Sequence, residues 1–267
     1  MFTRSLTQYA TGIAVLLALL MACGGGGDIN FSTENPGFDG FDNWPWPDNP
    51  DFTAEADFSR DVQVAAHVRL QLQTINGDIT ITGQPDATSV RVTAVLRVGS
   101  NVSQNDAEEG LDQLDVVVTD QAEEILIQTQ QPQASQGRQY IVNYTITLPS
   151  DLEVDIDQVN GDILVEEMAN SVSATLVYGN IDSTVRLPLN GEIWLSTAKG
   201  NLDLSIPRST SAELSAFVDH GTITWNDLDL IGTVHTNRSL TGTLGGAAGV
   251  IRLESTNGNI DLIGFDG

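Results

Sequence analysis

Apolar residues along this chain fall on alternate positions, and each alternating run is broken by a glycine. Around Gly77 the chain reads LQLQTINGDITI, around Gly161 VDIDQVNGDILV and around Gly179 ATLVYGNIDS. Gly200 lies in WLSTAKGNLDL, Gly221 in LSAFVDHGTITW and Gly258 in RLESTNGNIDL, with a poorer copy, NRSLTGTL, around Gly242. Seven and five residues before each of the six better glycines stand Leu70 and Leu72, Val154 and Ile156, Val172 and Ala174, Ile193 and Leu195, Leu214 and Ala216, Ile251 and Leu253. Two and four residues after them stand Ile79 and Ile81, Ile163 and Val165, Ile181 and Ser183, Leu202 and Leu204, Ile223 and Trp225, Ile260 and Leu262. Alternation with period two predicts a half-buried strand on each side of the glycine. The glycine falls where the alternation changes phase, which predicts a bend with φ > 0 or a close backbone approach. Asn, Asp or Thr beside it suits such a turn.

From Gly161 to Gly242 the glycines are spaced 18, 21, 21 and 21 residues apart. A unit of that length cannot bury its apolar face alone, but stacked units share one core. The expected fold is therefore all-β: a stacked-rung β-solenoid or β-roll with repeats of about 20 residues. Two sides per rung would give a flattened roll and three a β-helix; the pattern leaves both open. At Gly242 the residues seven, five and three before the glycine are His235, Asn237 and Ser239, so that copy breaks the rule. Residues 84–151 differ again: SVRVTAVLRV, LDVVVTD, EILIQTQ and QYIVNYTITLP are separated by polar loops, which predicts an inserted antiparallel strand block. No 3.6-residue periodicity of useful length follows residue 30.

The first 22 residues carry a single charge, Arg4, ahead of a short apolar run that ends Leu20-Met21-Ala22-Cys23. The run is too short to span a bilayer and reads as a secretory signal. Small and apolar residues before a lone cysteine resemble the bacterial lipobox. That resemblance implies cleavage before Cys23, lipidation of Cys23 and a permanent membrane anchor. Gly24 at the next position implies, by the same resemblance, transfer to the outer membrane. Residues 23–58 then form an acidic tether rich in Gly, Pro, Asp and Asn. It holds Phe31, Phe38, Phe41, Trp44, Trp46, Phe52 and Phe58, which would either dock on an end of the β domain or contact membrane, glycan or partner. Residues 59–267 form the repetitive β domain.

The chain has 11 basic and 36 acidic residues, a net charge of −25, and Lys199 is its only lysine. Coulomb repulsion excludes nucleic acid as a partner. The three histidines, His67, His220 and His235, have no ligand spacing, and no nucleotide or nucleophile motif is present. His220 reads as a solvated turn residue and GTLGGAAG (242–249) as a β-turn. No cofactor is expected; calcium is the one ion kept open. Asp39, Asp42, Asp48 and Asp51 in the tether lack a calcium-loop spacing. Asp78, Asp162, Asn180, Asn201 and Asn259 would line one edge of the stack, where a hydrogen-bonded ladder is the expected role. Close acid pairs such as Glu166/Glu167 and Asp155/Asp157 carry no weight in so acidic a chain, and no enzyme is expected.

YTITLPSDLEVDIDQVNGDILV (144–165), the YGNI, KGNL and HGTI copies, and LTGTLGGAAGVIRLESTNGNIDL (240–262) resemble a bacterial putative-adhesin family of unknown function. The resemblance spans about residues 60–264 and implies an exported, repetitive all-β protein; it supplies no binding residues. The expected protein is a non-enzymatic outer-membrane lipoprotein displaying an adhesion or envelope-interaction domain. It would be anchored through Cys23 and bind an unknown protein or glycan, with the surface or periplasmic orientation open. The alternatives are a periplasm-facing structural or sensing lipoprotein and, third, a polysaccharide-active β-helix enzyme.

Overall fold

The computed structural model describes residues 50–64, 68–188 and 190–267. The signal segment, Cys23, His67 and most of the tether lie outside the described residues. The chain divides into two compact units. Of the described residues, the larger holds 57–64, 68–95, 116–129, 142–188 and 190–267, and the smaller holds 50–56, 96–115 and 130–141.

In the larger unit each repeat becomes a rung made of one strand before the glycine and one after it. The rungs are β2 (Arg69–Gln73) with β3 (Ile79–Gln84), β8 (Glu153–Asn160) with β9 (Ile163–Met168), and β10 (Val172–Tyr178) with β11 (Ile181–Val185). They continue with β12 (Glu192–Lys199) and β13 (Leu202–Pro207), β14 (Ala212–His220) and β15 (Ile223–Asn226), and β18 (Gly249–Asn257) and β19 (Ile260–Phe265). The other strands are β1 (Phe52–Gln63), β4 (Ser89–Ser100), β5 (Asp115–Asp120), β6 (Glu124–Gln130), β7 (Gln139–Pro149), β16 (Leu230–His235) and β17 (Ser239–Leu244).

Rungs are two-sided. The strands before the glycine join a ten-stranded sheet in the order β16-β17-β14-β18-β12-β10-β8-β2-β6-β5. Those after it join a nine-stranded sheet in the order β1-β4-β7-β3-β9-β11-β13-β19-β15. Rungs pair in parallel and in register, so Val154, Val172, Ile193 and Ile251 form one row and Ile163, Ile181, Leu202 and Ile260 another. All eight of these side chains are at most 2 % exposed. Burial of each aliphatic side chain stabilises the stack by about 1.5–3 kcal/mol. The core is thus a set of apolar columns, each residue covered by its counterparts one rung up and one rung down.

The rungs do not stack in chain order. β18 lies between β12 and β14, and β19 between β13 and β15, so the last repeat in the sequence is the penultimate one in space.

Four sequence expectations need correction. Gly242 is no turn: it pairs with Leu214 inside β17, which runs antiparallel to β14, and its φ is not in the left-handed region. With polar residues where the repeat needs apolar ones, that copy cannot face the core as a rung and folds back as a hairpin with β16. Second, the 84–151 block is not uniformly antiparallel. β6 runs parallel to β2 and β7 parallel to β3, with Ile125 and Ile127 beside Leu70 and Leu72, and Tyr144 and Ile146 beside Ile79 and Ile81. These pairs offer the same apolar columns as the glycine rungs, and column matching sets their direction. Third, strand β1 begins at Phe52, inside the stretch read as tether. Its irregular burial pattern, typical of an edge strand, hid it.

Fourth, in the smaller unit, the loop expected after Gly99 contains helix α1 (Gln104–Leu111). Ser103 caps it, its Oγ accepting from the Asp106 N–H at 3.1 Å. Arg138, 6 % exposed, anchors the helix by donating from Nη2 to Asp106 Oδ1 at 2.8 Å and from Nε to Oδ2 at 3.2 Å. Ser100 Oγ adds a third bond to Oδ2 at 2.6 Å. Hydrogen bonds from Arg138 and then Ser100 hold the Asp106 carboxyl below its ordinary range.

Candidate functional site: edges and faces of the stacked rungs

One edge of the larger unit is a column of glycines in the spatial order Gly77, Gly161, Gly179, Gly200, Gly258, Gly221. Gly200 shows why glycine is required: its φ is +147°, and a Cβ there would overlap the carbonyl of Gly179. The backbone bonds climb the same edge, Gly179 N–H donating to the Lys199 carbonyl at 2.9 Å and Gly200 N–H to the Asn257 carbonyl at 2.9 Å.

The residue after each glycine builds a second ladder. Asp78 N–H donates to Asn143 Oδ1 at 2.9 Å, Asp162 N–H to Asp78 Oδ1 at 3.0 Å and Asn180 N–H to Asp162 Oδ1 at 2.8 Å. Asn201 N–H then donates to Asn180 Oδ1, and Asn259 N–H to Asn201 Oδ1, both at 2.9 Å; Thr222 N–H closes the series on Asn259 Oδ1 at 3.0 Å. One side-chain oxygen of each ladder residue from Asn143 to Asn259 is thus committed to a backbone amide, a structural role. No set of three or more His, Cys, Asp or Glu side chains converges as metal ligands among the described residues. Asn143 was missed as the start of the ladder because its strand lacks the glycine that marks the others.

Inside this edge the residue three before the glycine reaches the carbonyl of the neighbouring glycine. Thr197 Oγ1 donates to the Gly179 carbonyl and Ser255 Oγ to the Gly200 carbonyl, both at 3.1 Å, and Gln158 Nε2 donates to the Gly77 carbonyl. Such bonds satisfy carbonyls that face the core.

Two outward faces remain. On the nine-stranded sheet Asp182, Asp203 and Asp261 stand in register on adjacent strands. Partial burial, then Asp261 and Asp182, pushes the Asp203 carboxyl up. Thr224 donates to Asp261 at the end of this row.

The ten-stranded sheet carries a different face. The Trp194 ring has the Arg252 guanidinium over it at 5.8 Å; five positions further along the strands, at the glycine edge, the Tyr178 ring has the Lys199 ammonium over it at 5.7 Å. Both contacts lie in the range of cation–π attraction. Arg252 also sits 3.7 Å from Glu192. On the other side of the strand bearing Arg252, Phe217 is 47 % exposed. Toward the other end Asp155 and Asp157 project from one strand; burial, and then the Asp155 charge, raises the Asp157 carboxyl to about 6. His220 is the exposed last residue of β14, just before the Gly221 turn and 3.4 Å from Asp219, and His235 packs edge-on against Trp225 with ring centres 5.1 Å apart.

At the edge opposite the glycines, loops between rungs border an open pocket of about 600 Å³ lined in part by Arg186, Arg208, Thr210 and Phe265. Arg208 is neutralised there by Asp227 at 3.1 Å and Asp266 at 3.4 Å.

Two sheets of in-register parallel rungs, tied along a glycine edge, define an all-β repeat protein of the solenoid type. The chain belongs to the Toastrack DUF4097 family, whose model matches residues 51–263. Among solved structures, a putative cell adhesion protein from Clostridium sporogenes is similar at 13 % identity and a TM-score of 0.55, over 79 % of this chain and 100 % of that one. A putative adhesin from Bacteroides fragilis aligns at 10 % identity and a TM-score of 0.26, over 80 % of this chain and 99 % of that one. At these identities the Clostridium likeness shows the fold alone, and the weaker alignment carries no argument. No curated protein matches the chain.

Proposed function

We propose that the protein is a non-enzymatic adhesion module, held on the outer membrane by lipid at Cys23, that binds through the outward face of the ten-stranded sheet. The observation that carries this reading is the grouping of Trp194, Arg252 and Phe217 on the outward side of three adjacent strands, β12, β18 and β14. It gathers two large rings and a guanidinium on one face. Flat aromatic faces flanked by hydrogen-bond donors suit a hydroxyl-rich polymer such as a neutral glycan. In-register rungs repeat at about 4.8 Å, so an extended ligand meets the same geometry over several strands. The name of the similar Clostridium structure, a putative cell adhesion protein, agrees with such a role.

The test has two parts. Protease shaving of intact cells, with lysed cells as control, should remove the β domain; protection until lysis would favour the periplasm-facing alternative. Purified protein should bind neutral cell-wall or capsular glycans. A Trp194→Ala, Phe217→Ala double variant that keeps its melting curve should lose that binding, and undiminished binding would reject this face.

A further inference from the structure

The intercalated last rung has a consequence beyond the proposed adhesion. β18 is parallel to both its neighbours, with Ile251 beside Ile193 on one side and Leu214 on the other. β19 likewise places Leu262 between Leu204 and Trp225. Ile251, Leu253, Ile260 and Leu262 are each fully buried. Without β18 and β19 the stack would contain a slot bounded by four strand edges, those of β12, β14, β13 and β15. Its columns would match this strand pair in spacing, register and hydrogen bonding.

The pair enters the slot through one short connection. Only residues 245–248 separate β17 from β18, and β17 and β18 flank β14 on opposite sides. The connection turns tightly over the start of β14. Gly246 and Ala248 N–H groups both donate to Ser211 Oγ, at 3.0 and 3.2 Å. Gly245 has φ +53° and Ala247 φ +56°. For alanine that conformation is strained. Short hinges under strain favour exchange of the element they carry, because opening the hinge relieves the strain.

Strand directions allow the exchange. β17 runs against β14 while β18 runs with it. Straightening residues 245–248 would carry β18 onward along the line of β17. A second copy, related by a two-fold axis across the strands, presents its own β14 reversed. The extended β18 therefore arrives parallel to the β14 of that copy, as the slot requires. A reciprocal exchange reproduces the rung contacts and closes as a symmetric dimer.

We infer that β18–β19 is an exchangeable strand pair, and that the slot between β12/β13 and β14/β15 accepts the same pair from a second copy of this chain. Ser196 and Glu254 are register partners across β12 and β18. Parallel neighbours at about 4.8 Å lie within disulfide reach. The experiment uses full-length chains carrying Cys23→Ser, one with Ser196→Cys and the other with Glu254→Cys. They are unfolded together under reducing conditions, refolded at high protein concentration and oxidised. Exchange joins the two variants by a disulfide and yields dimers by light scattering, in a fraction that grows with the concentration at refolding. Closed monomers hold one cysteine each and cannot join in this way. Each variant refolded alone should stay uncrosslinked, and a chain with both cysteines should crosslink internally. Adding Ala247→Gly relaxes the hinge and should lower the dimer yield about five-fold. Monomers without the mixed disulfide at every concentration, while the two-cysteine chain crosslinks internally, would overturn the inference. So would a dimer yield unaffected by Ala247→Gly.

Discussion

At the scale of single residues the glycine edge leaves no room for a side chain. Gly200→Val should prevent folding or cost more than about 4 kcal/mol, because the new side chain would collide with the Gly179 carbonyl. Asn201→Ser removes one rung of the side-chain ladder at an exposed edge and should cost about 1 kcal/mol. Thermal melting of the two variants checks the contrast; equal small shifts would contradict the tight edge. Thr197→Val keeps the shape but drops the buried bond to the Gly179 carbonyl, and should lower stability by about 1–3 kcal/mol in urea titrations. Asp157 gives a pH signature. Its carboxyl is raised in the folded state to about 6, so its contribution is fully present below the unfolded value near 4 and is lost as pH rises through about 6. Asp157→Asn should therefore stabilise by about 1–3 kcal/mol at pH 7.5 and by little at pH 4.5, read from melts at both values. The glycines and the ladder of Asp78, Asp162, Asn180, Asn201 and Asn259 were legible because turn chemistry is local. The shift at Asp157 was not, because it comes first from burial between stacked strands and only then from the charge of Asp155.

Elements are specified by apolar columns rather than by strand propensity alone. Where a segment supplies two inward residues two apart, as β6 does with Ile125 and Ile127, it joins the stack with or without a glycine turn. Where the inward residues are polar, as before Gly242, the segment leaves the stack and pairs antiparallel. Helix α1 was signalled only by Ser103 and Asp106 at capping distance, too short a stretch to show helical periodicity. Its hold on the smaller unit runs through Arg138. Arg138→Met should free the helix, measured as faster amide exchange across residues 104–111 with the glycine rungs unchanged. Because Arg138 and Ser100 depress the Asp106 carboxyl, this lock is present above the ordinary carboxylate range and weakens as pH falls through the depressed value.

For the whole molecule, charge and stacking pull against each other. A net charge of −25 repels itself in the compact state, and the row of Asp182, Asp203 and Asp261 shows that repulsion locally. Raising NaCl from about 10 mM to about 0.5 M shortens the screening length and should raise the melting temperature by several degrees. A flat response would mean that the acidic side chains are already compensated.

The sequence by itself determined the strands of the six glycine rungs, their inward residues, the bends at Gly77, Gly161, Gly179, Gly200, Gly221 and Gly258, and the all-β repeat class, but not the hairpin at Gly242 or strand β1. Each of these follows from alternation and turn chemistry within about ten residues of chain. Only the tertiary structure decided that the rungs are two-sided, that β6 and β7 stack as a rung, and that β18 and β19 lie between β12/β13 and β14/β15. The physical reason is that the repeats carry nearly interchangeable columns. Local pattern fixes what a rung is, but the order of rungs depends on the hairpin of β16 and β17 and the turn at residues 245–248. The group of Trp194, Arg252 and Phe217 was equally hidden, because its members come from three strands that meet only when the rungs are stacked.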